Sequence, residues 1–262
     1  MNPEFQKNYH LFLTFFITGE LKNTYGTGCF LLQNTGQNLV FSKNGLLTTV
    51  AYQKSNGELT YAVEGSIAIA GLLIRWLRDN IGIINSIQEV ETLAKEVDST
   101  SGVFVVPAFT GLFCPYWKAE ARGVISGLTQ HCKKHHIARA CLEAVAWQVK
   151  DVVSSMEQDG QVCTLLKADG GMTGNKLLMQ IQSDILQIPI LVPKMAESTA
   201  LGAAVAAGSF KSLWKAPGWE AFDCSEADKN EVDDRAFSRI EPLEDRSNDY
   251  VKWKKAVEKS FE

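Results

Sequence analysis

The hydrophobic period of this chain changes once, near residue 68, and that change limits the folds open to it. Before it, apolar residues come in short runs rich in Thr, Tyr and Leu, each closed by a turn signal. "KNTYGTGCFLLQNTG" (22–36) ends in an Asn-Thr-Gly turn. "GLLTTVAYQ" (45–53) and "LTYAVEGSI" (59–67) follow, joined through "KSNGE" (54–58), whose Asn-Gly pair marks a hairpin. Three strands on short turns predict an antiparallel meander. After it, "AIAGLLIRWLRDNIG" (68–82) sets Ile69, Leu72, Leu73, Trp76 and Leu77 on one helical stripe.

From there helices and strands alternate. A second helix is expected over 87–97, and "GVFVVPAF" (102–109) reads as a short strand buried on both faces. Residues 115–129 read mostly as loop. A helix over about 135–157 carries Ile137, Cys141, Ala144, Val145, Val149, Val152 and Met156 on one face, which leaves Glu143 and Asp151 as solvent-face or capping charges. Then come the strand "TLLKA" (164–168), the helix "NKLLMQIQSDIL", the strand "IPILVP" (188–193) and a helix over 199–210. In that last helix Gly202, Ala203, Ala206 and Ala207 allow close approach to a neighbour. Residues 220–249 are acidic and poor in apolar side chains, and "DYVKWKKAVEKSF" (249–261) is amphipathic. Hairpin strands followed by alternating helices and strands define an α/β fold with a mixed (α+β) sheet.

Composition excludes some functions. Of 262 residues 45% are hydrophobic and 21% charged, enough for a sizeable core, and the net charge of -4 offers no basic face to nucleic acid. No apolar run reaches bilayer length. "LFLTFFI" (11–17) lacks a basic n-region and a small-residue cleavage site, so it reads as a buried or displaced strand rather than a secretion signal. The six cysteines, Cys29, Cys114, Cys132, Cys141, Cys163 and Cys224, have no C-x-x-C spacing and suit reduced thiols in a cytoplasmic protein.

Three stretches are able to hold a nucleotide. In "TYGTGCF" (24–30), Gly26 and Gly28 flank Thr27: either a bulge with an incidental threonine, or a bare backbone that a ligand can approach, with a hydroxyl to offer. In "DGGMTGN" (169–175), paired glycines stand where a strand hands over to a helix. That is an N-capped turn, or a cradle in which backbone N–H groups face an anion and Asn175 offers its amide. In "AGLLIRWLRD" (70–79), Gly71 precedes Arg75 by one turn, and the arginine is either a solvated charge or a base-stacking group. "HCKKHH" (131–136) has ligand pairs at i,i+4 but no further ligand beside them. Neither the P-loop nor the dinucleotide fingerprint is present.

Taken in order, "KNTYGTGCF", "NGLLTTVAY", "YAVEGSIAIAG", "IRWLRDN", "VPAFTGL", "PYW", "ARGVISGLT", "LEAVAWQ", "DGGMTGNKLLMQIQSDIL" and "TALGAAVAAG" resemble the C-terminal half of the glycerol kinase branch of the FGGY carbohydrate kinases. The resemblance runs from Lys22 to near the end of the chain. It implies an actin/hexokinase-like (ribonuclease H-like) ATPase domain, with an atypical extension over 1–21, a nucleotide-binding lobe over 22–215, and an acidic segment with a closing helix over 216–262. By the same resemblance Thr27 matches the ATP-phosphate contact, Gly71 and Arg75 the nucleotide-side positions on a helix, Gly171 and Asn175 the adenosine contacts, and Phe30 an aromatic that packs on glycerol.

The implied reaction is transfer of the γ-phosphoryl of ATP, with Mg²⁺, to glycerol, giving glycerol 3-phosphate and ADP. In the family the polyol clamp and the catalytic aspartate come from upstream of the stretch matching "KNTYGTG". Here the first aspartate of the chain is Asp79, and "MNPEFQKNYHLFLTFFITGE" does not resemble the family's Gly-Asp-Gln stretch. The expectation is therefore an ATP-binding lobe, inactive alone, that meets glycerol only with the other lobe. The alternative is a non-catalytic module that self-associates or joins a full-length kinase. A pentulose or hexulose kinase of the same superfamily fits "NTYGTGCF" and "NGLLTT" less well.

Overall fold

The computed structural model describes residues 18–53, 57–194 and 237–262. The expected strand at 11–17, the helix at 199–210, Cys224, part of the 54–58 turn and most of the acidic segment lie outside these residues.

The "KNTYGTGCFLLQNTG" stretch is not one strand but two. It breaks at Gly26-Thr27-Gly28 into β1 (Leu21–Tyr25) and β2 (Cys29–Gly36), which pair antiparallel with Thr24 opposite Phe30. β3 (Leu47–Gln53) and β4 (Leu59–Ile67) form the next hairpin. The expected three-strand meander is corrected at this point. β4 lies between β3 and β2, so the chain crosses from β2 past β4 to reach the sheet edge, and the antiparallel part has four strands.

Among the described residues the main sheet has seven strands, in the order β3-β4-β2-β1-β7-β8-β9, with β7 (Leu166–Asp169), β8 (Ile190–Pro193) and β9 (Phe237–Ile240) beyond β1. β1–β7 and β7–β8 pair in parallel and β8–β9 antiparallel, which gives the mixed sheet. The 102–109 stretch is a strand only over β5 (Phe104–Val106). It pairs with β6 (Val124–Ser126), inside the expected loop, as a separate two-stranded ribbon rather than as a member of the large sheet.

The helices arise where the period is 3.6. α1 (Gly71–Trp76) continues into a π-turn over Leu77–Ile81 that ends at Gly82. α2 (Glu89–Lys95) is followed by the long α3 (Lys134–Gln158), then α4 (Lys176–Leu186) and α5 (Ser247–Glu258). α3 runs under the sheet so closely that a Cβ on Gly65 of β4 would strike the Val152 side chain. Its Val145, Val149, Val152 and Met156 are all buried in one core with Leu31, Val63 and Leu166.

Glu143 and Asp151 are not solvent charges, which corrects that expectation: both are 2% exposed. They fall on a second buried stripe of α3, with Ala140, Ala144 and Trp147. Glu143 takes an ion pair from Arg246 at 2.8 Å and another from Arg139 at 3.3 Å. Asp151 accepts hydrogen bonds from Tyr116, Tyr250, Trp253 and Lys254. A buried carboxylate persists only when it is paired and hydrogen-bonded, and here the closing helix supplies most of the donors.

Candidate functional site

Three loops meet at one end of the β1–β7 pair. The Gly26-Thr27-Gly28 turn tops β1, the Gly170-Gly171 turn tops β7, and the start of α1 lies across the first. Ala70 and Leu72 donate their N–H groups to the Thr27 carbonyl at 2.9 and 3.1 Å, and Gly71 donates to the Gly26 carbonyl at 3.0 Å. These bonds cap the start of α1 with hairpin carbonyls. Thr27 itself is exposed, so its hydroxyl is carried on the open surface.

Glycine is required where these backbones touch. At Gly71 a Cβ would sit 2.6 Å from the Gly26 carbonyl oxygen and 3.4 Å from the Met172 sulfur. Gly170 has φ 93°, and a Cβ there would come within 2.8 Å of the Tyr25 carbonyl carbon and closer still to its oxygen. Any larger residue would push the two loops apart. Gly171 is different: it is exposed, and nothing lies within 4 Å of its missing Cβ.

The structure thus sets the turns that carry Thr27 and Gly171 beside each other and beside Gly71, although the chain separates them widely, and Asn175 follows Gly171 at the start of α4. Arg75 is exposed one turn along α1 from Gly71. Phe30 is 54% exposed on β2, directly opposite Thr24, on the sheet face away from α3. That face also carries Lys22 and Asp169, whose side chains pair at 2.9 Å.

Of the two readings left open by its spacing, the "DGGMTGN" stretch shows the N-capped turn. β7 runs one residue further than expected, through Asp169, and a 3-10 turn over Gly171–Gly174 intervenes before α4. Thr173 stiffens that turn, its hydroxyl donating to the Gly170 carbonyl at 2.8 Å. Asn175 is the N-cap, its Oδ1 accepting from Leu178 N–H at 2.9 Å. That bond leaves the Nδ2 amide as the group Asn175 can offer outward. Glu91 of α2 accepts from the Leu177 N–H at 3.2 Å. With two of its first amides taken and a carboxylate beside it, the α4 N-terminus is a poor seat for phosphate. At the other end the Gly26 N–H donates to the Gly28 carbonyl at 2.9 Å, and the Thr27 carbonyl takes the start of α1.

A buried tie supports the arrangement from below. The Tyr25 hydroxyl donates to Gln182 Oε1 at 2.8 Å, joining the end of β1 to α4. Burial drives the Tyr25 phenol well above its ordinary pKa, with the neighbouring Cys29 adding to the shift, so it stays a donor. Sequence spacing gave no sign of this tie, because the partners are joined only through the sheet.

Among the described residues no three His, Cys, Asp or Glu side chains gather to hold a metal ion. In "HCKKHH", His136 Nδ1 accepts from the Lys133 N–H and His135 pairs with Glu96 at 3.0 Å. A Mg²⁺ ion is therefore offered no protein cage by these residues; a cation of this kind commonly rides on nucleotide phosphates and water. A cavity of about 360 Å³ lies elsewhere, between α3 and α5, lined by Asn44, Pro115, Asp151, Ser154, Tyr250 and Lys254 among others. None of the expected site residues borders it. Among the described residues Thr27 and Gly171 are exposed on the three-loop surface. No helix among the described residues is long and apolar enough to cross a membrane.

Residues 21–209 match the model of the FGGY family of carbohydrate kinases, C-terminal domain. The chain is 50% identical over 248 residues to a glycerol kinase of Renibacterium salmoninarum, covering 94% of this chain and 48% of that protein. It is 51% identical over 248 residues to that of Paenarthrobacter aurescens, with the same coverage. Among solved structures, Plasmodium falciparum glycerol kinase with ADP aligns at a TM-score of 0.81 and 37% identity, covering 99% of this chain and 50% of that one. A gluconate kinase from Lactobacillus acidophilus, at TM-score 0.73 and 18% identity, shares the fold. The chain spans about half the length of the curated relatives it matches.

Proposed function

This chain belongs to the FGGY family of carbohydrate kinases, matching their C-terminal domain, and on that premise we propose that it is the ATP-binding lobe of a glycerol kinase. The reaction assigned to the whole kinase is phosphorylation of glycerol by ATP to glycerol 3-phosphate and ADP. The observation that carries the reading is the backbone contact setting Gly170 against Tyr25. It places the "GTG" and "DGG" loops side by side, as two ends of one nucleotide require.

On this reading residues 22–215 are the nucleotide lobe and 216–262 complete the same domain. Thr27 offers its hydroxyl to the phosphates. The space over Gly171 and the Asn175 amide receive the adenosine end, and Arg75 lies along its side. Phe30, open on the outer sheet face, gives an apolar surface to the carbon skeleton of glycerol. Phosphoryl transfer depends on positioning and charge stabilisation, and these residues contribute the positioning. The proton acceptor for the glycerol hydroxyl is assigned to no residue of this chain.

Calorimetric titration of the full chain with ADP, beside Thr27→Ala and Asn175→Ala, tests the reading. Binding weakened roughly tenfold by either change supports it, the usual scale for loss of a hydrogen bond to a charged group. Binding untouched by both overturns the site. A second reading draws on the exposure of Phe30 at 54% and Leu47 at 46%: a module that associates with another copy or with a full-length kinase through that face. Light scattering with and without a full-length homologue separates the two.

A further inference from the structure

The surface read above as a nucleotide seat is assembled from two parts of the fold. Thr27 belongs to the turn between β1 and β2, to which the start of α1 is bonded. Gly171 and Asn175 belong to the turn after β7 and the start of α4. The β1–β7 ladder ends at Thr24 and Asp169, one residue short of Tyr25. Past that point the Tyr25 side chain crosses from one part to the other. Its hydroxyl donates to Gln182 Oε1 at 2.8 Å, and both residues are 0% exposed. Gln182 lies on α4, the helix that Asn175 caps, and its Nε2 donates to the Ala146 carbonyl of α3 at 3.3 Å. With one end of the amide held by α3, the other is turned to Tyr25. The residue after Tyr25 is Gly26, where the threonine turn begins.

We propose that Tyr25 and Gln182 are positioning residues of the nucleotide seat: their hydrogen bond fixes the threonine turn relative to α4, so that the Thr27 hydroxyl meets the phosphates of a nucleoside diphosphate whose adenosine end rests at Gly171 and Asn175. The proposal rests on the nucleotide reading given above. A ligand held at two points gains the full benefit of the second only when their spacing is set in advance. Loosening the tie leaves each end able to bind but removes the benefit of binding both at once. The contact of Gly170 with the Tyr25 backbone does not involve the hydroxyl, so the two turns should stay neighbours without it.

The test is a cycle of ADP affinities, measured by calorimetry on the full chain at fixed salt. Tyr25→Phe should weaken ADP about tenfold, as loss of preset geometry does. Thr27→Ala should cost about tenfold in the unaltered chain and less than about threefold beside Tyr25→Phe, because a hydroxyl already out of place has little left to lose. Asn175→Ala should keep its cost in both backgrounds. A hydrogen bond that serves stability alone predicts the same cost of Thr27→Ala in both, and that result would overturn the proposal. Gln182→Met removes the acceptor from the other side and should give the same pattern. The bond between Tyr25 and Gln182 is the loss common to the two variants, so agreement assigns the effect to it, and a normal Thr27→Ala cost beside Gln182→Met would refute it. If Tyr25→Phe fails to fold, Gln182→Met decides by the same criterion; if neither folds, the bond serves the fold and the proposal fails. Should the unaltered chain bind no ADP, or bind it with no cost from Thr27→Ala, the nucleotide site itself falls and takes this inference with it. Should both bind as expected but the costs simply add, only the role of Tyr25 and Gln182 is lost.

Discussion

The indole N–H of Trp253 donates to Asp151 Oδ2 at 2.7 Å, joining the closing helix to the middle of α3. Tyr116 donates to the same oxygen at 2.8 Å, while Tyr250 at 2.8 Å and Lys254 at 3.2 Å take the other. One carboxylate thus gathers donors from α5 and from the segment before β6. Burial, the largest influence, raises its pKa above the ordinary aspartate value, while Lys254, Trp253, Tyr250 and Tyr116 pull it back.

Replacing Asp151 by Ala leaves the exposed Lys254 ammonium and the Tyr116, Tyr250 and Trp253 donors without their acceptor. The expected loss in urea unfolding is about 1–3 kcal/mol, the range for leaving a buried donor unsatisfied. Asp151→Asn keeps an acceptor and should lose less. Limited proteolysis should cut α5 first in the Ala variant, and an unchanged cleavage pattern would show that α5 is held by its apolar face alone.

Gly170→Ala and Gly171→Ala should separate fold from binding. At Gly170 the φ of 93° and the Tyr25 backbone both oppose a side chain, so thermal unfolding should drop by the equivalent of about 1–3 kcal/mol. At Gly171 the space is open and the melting temperature should hold. The new methyl would occupy the proposed nucleotide surface, and ADP affinity should fall about tenfold. Equal behaviour of the two variants would count against the seat.

Asn175 has two separable duties. Asn175→Ala removes the cap on Leu178 and should cost about 1 kcal/mol in chemical unfolding as well as nucleotide affinity. Asn175→Asp keeps the capping oxygen but replaces the amide donor with a charge, so stability should stay near that of the unaltered chain while ADP binding weakens. If both variants bind ADP as tightly as the unaltered chain, the amide makes no contact.

Cys132 should be the first of the five described cysteines to be alkylated. The Thr129 hydroxyl and N–H lie 3.5 and 3.2 Å from its sulfur and lower its pKa. Burial raises the others, Cys29 and Cys163 each to about 12. Peptide mapping after brief iodoacetamide exposure at pH 7 should find Cys132 modified before Cys29, Cys114, Cys141 and Cys163, and Thr129→Val should slow it. Faster labelling of any of those four would contradict the burial.

Legibility from sequence followed the range of the forces involved. The α3 and α4 helices and the β4 strand stand close to their periodic signals, since local spacing and one buried face decide them. The break of 22–36 into two strands was visible only as two glycines around Thr27. The order β3-β4-β2-β1 had no local signal, since strand pairing is a choice between distant partners. Asp151 and Glu143 were misread because α3 is buried on nearly every side, and a period marks one apolar stripe without excluding a second. Ala140, Ala144 and Trp147 were the available clue, together with the "DYVKWKK" donors far downstream. Thr27, Gly71, Gly171 and Asn175 could be picked out singly, but their meeting depends on the parallel β1–β7 pair.

That pair has a consequence for synthesis. β1 is made before β7, which follows only after α3 has emerged, so the β1–β2 and β3–β4 hairpins can form on the ribosome while their neighbour is still untranslated. Contacts spanning such a length of chain are slow to close. A nascent chain halted before β7 would own the threonine turn and the start of α1 but not the glycine turn that lies beside them, so nucleotide retention by arrested chains of increasing length would report the moment at which the two turns meet.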